Sequence, residues 1–320
     1  MFPAVLVLAA VAAGTIPAAA ALASARWPVR SPAAAIVLWQ ALGLGWGLAA
    51  VGALAGLGGS YQDEGQHTGV ARAAVAVAVR AVRGVTSGPQ AGGAVWYLRL
   101  VAVAAGLVLL ALLCWVLLAS FAAVLRARRR QRDLLSLLAH GDPKVPGALV
   151  VDHPDAAAYC VPGLRSRIVI SAGTLDLLDQ AELAAVLAHE RAHLRERHDL
   201  VLLPFTALLR AFRWSAVARR AESAVALLVE MLADDHALRH RPARELATAL
   251  IRVGTAGSRA PSGALAADGS GSGTGAGEVA VRVARLLRPA PGLSVPALAL
   301  VGAAALLLVA LPVAFLSIPF

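Results

Sequence analysis

Four apolar stretches, from about Pro3 to Ala23, Ala33 to Gly58, Leu98 to Leu125 and Leu293 to Ile318, are each long enough to cross roughly 30 Å of hydrocarbon as a helix. This constrains the fold more than any other feature, because a soluble domain has no interior large enough to hide four such segments. The composition agrees: 59% of residues are hydrophobic and 15% charged, against soluble norms of roughly 45–50% and 25%. The first stretch ends in small residues at Ala21 to Ala25, as a cleaved signal does, but no basic residue precedes it and its apolar run is too long. A retained span is expected.

The net charge of +10 comes almost entirely from arginine, and its placement sets orientation. Arg26 and Arg30 follow the first span, and Arg126, Arg128, Arg129, Arg130 and Arg132 follow the third, so both loops are expected on the cytoplasmic side. The expected layout has three transmembrane helices in 1–125 with an extracellular loop at about 59–97, a cytoplasmic domain in 126–290, and a fourth transmembrane helix in 291–320. Both termini then lie outside. The localisation expected is the plasma membrane, with the lipid bilayer as the first partner. Because the arginines flank spans, direct nucleic-acid binding is not expected. The outer loop carries Arg72, Arg80 and Arg83 beside Asp63 and Glu64, and Val70 to Val82 is a candidate amphipathic surface helix.

Within the cytoplasmic segment, 254–277 has the Gly, Ser and Ala composition of a flexible linker. Leu200 to Trp214 is apolar around Pro204 and short for a span, which leaves a buried helix and an interfacial or re-entrant element as alternatives. Cys114 and Cys160 form no C-x-x-C pair and indicate neither a disulfide framework nor a thiolate site.

His189-Glu190-Arg191-Ala192-His193 is an H-E-x-x-H motif. Its chemistry requires a helix, where positions i and i+4 share a face. Asp179 and Glu182 read as a capping box, and Ala181 to Ala188 are mostly good helix formers. From that helix both imidazoles converge on one metal ion, and Glu190 approaches a water as general base. A third ligand is needed. Glu230 and Asp234, again i and i+4 in a second helical pattern, suit a ligand and a partner for the far N–H of a ligand histidine. Asp199 is the rival ligand, but Glu196 stands where a metzincin turn requires glycine.

Tyr159 to Gly163, Arg167 to Ser171, Leu175 to Leu178, Glu182 to His193 and Glu230 to Asp234 together resemble the peptidase core of the BlaR/MecR-type antirepressor membrane peptidases. The same core is similar to HtpX and CAAX prenyl protease domains, and the resemblance covers about Leu149 to Leu238. It implies an α+β fold: four transmembrane helices with a mainly helical, zincin-type cytoplasmic domain containing a small β-sheet. It implies Zn2+ held by His189, His193 and Glu230, Glu190 as catalytic base, and Asp234 behind the ligands. Arg167 to Ser171 would be a strand whose free edge pairs with an extended substrate. His198 matches a histidine of the CAAX type, with a helix-end residue as the plain alternative. His236 and His240 are candidates for an oxyanion or substrate role, set against a surface position. Sensor members of the BlaR/MecR type carry a penicillin-binding domain after the fourth span, and the sequence to Phe320 gives no such domain.

The activity expected is zinc-dependent endopeptidase cleavage of a cytosolic or membrane-adjacent protein, with a transcriptional repressor as the substrate the nearer resemblance implies. An HtpX-like quality-control protease is the alternative. A catalytically silent membrane adaptor is disfavoured by the complete set of ligands and base.

Overall fold

The computed structural model describes residues 2–58, 93–141, 145, 147–161, 166–256 and 275–317. The candidate amphipathic helix at Val70 to Val82 and the linker residues 257–274 lie outside them. The chain is mostly helical with one small mixed sheet, and it divides into two compact units.

The first unit comprises Met1–Leu117, Phe205–Ala224 and Leu293–Phe320. It holds α1 (Phe2–Ser24), α2 (Pro32–Gly58), the beginning of α3 (Gly93–Leu138) and α10 (Val295–Ser317). By length and composition, α1, α2, α3 and α10 are each able to cross a membrane. Close approach relies on small residues, as expected where neighbouring helices gain no hydrophobic advantage over lipid. A Cβ at Gly45 of α2 would come within 2.6 Å of the Leu308 carbonyl oxygen of α10. Leu8, Ala49 and Ala53 form a buried contact between α1 and α2, joined by Phe315. The Ser31 hydroxyl accepts the Leu293 N–H at 3.0 Å, tying the start of α2 to the approach to α10. The third apolar stretch does not stop at Leu125: α3 runs on through the arginines to Leu138, because Arg, Gln and Leu are good helix formers with no breaker among them.

The second unit comprises Leu118–Pro204 and Val225–Gly292. Its strands are β1 (Ala139–Gly141), β2 (Ala148–Val151), β3 (Ala158–Val161) and β4 (Arg167–Ser171), in spatial order β1-β2-β4-β3. β4 runs parallel to β2 and antiparallel to β3. The expected free edge at Arg167 to Ser171 is therefore corrected: β4 is interior, with both ladders engaged. Its sequence explains why, since Ile168 and Ile170 on one face and Val169 on the other are all buried, as in a strand covered on both sides. Among the described residues, the open edge beside β4 belongs to β3.

Ile168, Ile170 and Val150 pack on Leu183, Leu187 and Ala249, while Val161 and Val169 pack on Leu135. The helices supplying that cover are α4 (Ala172–Leu177), α5 (Gln180–Glu196) and α8 (Ala243–Thr255). Between them in sequence lie α6 (His198–Ala211) and α7 (Ala216–Ala237), and α9 (Gly275–Leu287) follows α8. Of the linker expected at 254–277, Gly254 and Thr255 end α8 and Gly275 to Gly277 begin α9. Leu200 to Trp214 is mostly helical, and from Phe205 onward it clusters with the apolar helices of the first unit.

Candidate metal centre

α5 begins as its sequence directs. The Asp179 carboxylate accepts the N–H groups of Ala181 and Glu182, and the Glu182 side chain accepts the Asp179 N–H. Arg252 of α8 pairs with Glu182 at 2.9 Å and fixes this end of the helix. The other end stops at Arg197, which adopts a left-handed conformation at φ 51° and returns its N–H to the His193 carbonyl. That single residue turns the chain so that His198, first in α6, comes back beside His193.

His189, His193 and Glu230 present one ligand atom each, all within 4.8 Å of one another. The Nε2 atoms of the two histidines are 3.0 Å apart, and each lies 3.4 Å from a Glu230 carboxylate oxygen. Around a tetrahedral ion with bonds of roughly 2.0–2.2 Å, neighbouring donors are about 3.3–3.5 Å apart. The triangle fits such an ion, and two imidazoles with one carboxylate are a borderline-soft donor set that suits zinc.

The far nitrogens are engaged. His189 Nδ1 lies 2.9 Å from Asp234 Oδ1, close in distance though off the line of a good hydrogen bond. His193 Nδ1 lies 2.9 Å from His198 Nδ1, and His198 Nε2 is 2.8 Å from Glu196. His236 also pairs with Glu196. His198 and His236 are thus both committed to Glu196, and His198 sits on the Nδ1 side of His193, away from the Nε2 that faces Glu230. The rival ligand Asp199 pairs with Arg128 and stands outside the cluster.

Sequence reasoning missed two residues here. Arg282 of α9 is buried and forks across both acidic groups: its Nε and Nη2 donate to Asp234 at 2.8 and 2.7 Å, and its Nη1 lies 2.8 Å from Glu230. Arg285, one turn on, holds Asp235 through two bonds of 2.7 Å. The signal was available, because Val279, Val283 and Leu286 recur at helical spacing beyond the linker and Arg282 falls on the flank of that stripe. Cys160, on the edge strand β3, is the second: burial and the Glu190 carboxylate push its thiol well above the usual range.

These surroundings set the charges. Burial raises the Glu190 carboxyl to about 7, partly offset by His189. Burial also opposes ionisation of Glu230 and Asp234, yet both are held low. For Glu230 the nearby His189 and the Arg282 charge prevail, and for Asp234 the Arg282 hydrogen bonds and the nearby His189 do. The two histidines diverge: burial lowers His193 to about 3, whereas for His189 burial is outweighed by Asp234 and Glu230, which raise it to about 10. Glu190 is therefore a buried carboxyl near neutrality beside two carboxylates that stay ionised.

No curated protein and no solved structure matches the chain. Residues 124–247 match the family profile of Peptidase family M48, and that stretch contains His189, Glu190, His193, Glu230 and Asp234 but not Arg282.

Proposed function

We propose that the chain is a multi-pass membrane zinc endopeptidase in which His189, His193 and Glu230 hold the ion and Glu190 is the general base. The observation that carries this reading is the donor triangle with Glu190 in the same helix turn, inside a stretch that matches a metallopeptidase family. When bound, zinc supplies Lewis acidity toward the scissile carbonyl. Glu190 takes a proton from the attacking water and passes it to the departing amine. Asp234 and His198 fix the ring orientations of His189 and His193 from behind, and Arg282 keeps Glu230 and Asp234 ionised. The edge of β3, the strand that carries Cys160, is the place for an extended substrate to add a strand.

The basic clusters after α1 and within α3 support a plasma-membrane location with the site on the cytoplasmic side. The substrate is then a cytosolic or membrane-adjacent protein. Cleavage of a transcriptional repressor is the regulatory form of this activity. The M48 match favours an HtpX-like quality-control role just as well.

The test is cleavage of an unfolded protein by detergent-purified chain. Activity should vanish with a chelator and return with zinc, and Glu190→Gln should lower turnover by a factor on the order of 10² or more. A Glu190→Gln variant that cleaves at the wild-type rate would sink the mechanism.

A further inference from the structure

The first unit contains a partly open cavity of about 430 Å³ walled by α1, α2, the end of α6, the turn after it and the start of α7. Trp39, Gly43 and Trp46 of α2 line it together with Thr15 of α1, Phe212 and Trp214. The edge-to-face contact of Trp46 with Phe212, at 5.5 Å between ring centroids, helps set its wall. None of the lining side chains carries a formal charge.

Three observations define what fits. A helix about 10–12 Å across occupies on the order of 1000 Å³ in only two turns, so the space is too small for a transmembrane segment of a partner and suits a single flexible chain. Gly43 faces open space, since a Cβ built there meets nothing within 4 Å. Trp39 is 2% exposed and its indole Nε1–H has no acceptor among the described residues, in a setting where no bulk water is available to supply one. Trp39 also lies about two turns into α2, in the half of the helix nearer Arg26 and Arg30, so a lipid whose headgroup sits at that end can bring its carbonyl toward it.

We propose that this cavity is a binding site for one acyl chain, with the chain's carbonyl oxygen accepting the Trp39 N–H. The site is separate from the metal centre and does not depend on the peptidase reading. Phospholipid ester and free fatty acid share this chemistry.

The experiment uses the full chain in phosphatidylcholine nanodiscs carrying a diazirine at the end of one lipid chain, and in parallel nanodiscs with a diazirine fatty acid. Cross-linked residues are mapped by mass spectrometry. Labelling of Trp46 and Phe212 should exceed that of Trp115, an α3 side chain 71% exposed, by several-fold; the arm in which this occurs names the source. Gly43→Leu fills the space and should reduce cavity labelling to the Trp115 level. Trp39→Phe keeps the ring and removes the donor, so it should weaken labelling by the carbonyl-bearing probe several-fold while leaving a diazirine alkane of equal length unaffected. Cavity labelling no greater than at Trp115 in both arms, or unchanged by Gly43→Leu, overturns the site. Equal loss of both probes in Trp39→Phe overturns the hydrogen bond.

Discussion

Replacing Glu190 by Gln should lower turnover by a factor on the order of 10² or more and yet make the metal-free protein more stable. Burial raises this carboxyl from 4.5 to about 7. At about 1.36 kcal/mol for each pH unit, holding it ionised costs the fold ~3 kcal/mol. The raised value means that the folded state binds the extra proton, so this cost is absent below pH 4.5. It accumulates as pH rises toward 7 and is constant above. Glutamine has the same shape and no such cost. At pH 8 the variant should melt higher than wild type by on the order of 5–10 °C, for a chain of this size class. At pH 5 the advantage should shrink to ~1 kcal/mol, because only about half a pH unit of the interval between 4.5 and about 7 has been crossed. Thermal unfolding of both proteins in the same detergent, chelated and followed at several pH values, measures the difference. A variant no more stable than wild type at pH 8, or one whose advantage grows toward acid, would refute the claim that Glu190 is a costly buried base.

Arg282→Met leaves the buried Asp234 and the half-buried Glu230 without their counter-charge, so stability should fall by ~3 kcal/mol and zinc affinity by roughly 10- to 100-fold, read by melting and metal titration. Arg282→Lys should restore only part of the affinity, because one ammonium cannot fork across two carboxylates. Gly173→Ala should prevent stable folding, since a Cβ there would collide with the Pro154 carbonyl; the readout is loss of monodisperse protein on size exclusion. Reporter fusions at Arg132 should behave as cytoplasmic, and an external result would remove the cytoplasmic active site.

The helical parts of the site were legible because their signals are local. The Asp179 and Glu182 capping box starts α5 where the sequence places it, and i, i+4 spacing alone puts His189 and His193 on one face. The four apolar spans were legible for a similar reason, needing only length and composition. What stayed hidden depends on pairing across the chain. The interior position of β4 is decided by β2 and β3 lying on either side, which a run such as Arg167 to Ser171 does not announce. Arg282 lies 48 residues beyond Asp234, past a Gly- and Ser-rich stretch that drew attention away from the helix behind it. His198 reads as an ordinary helix-end residue until the left-handed turn at Arg197 folds it back on His193.

Zinc content per chain in three purified proteins tests the central claim most directly. With His189, His193 and Glu230 as ligands, wild type should hold one zinc ion. Glu230→Ala should lose it, having given up both a ligand and its charge, and Asp199→Ala should keep it. Full zinc in Glu230→Ala together with its loss from Asp199→Ala would contradict the assignment.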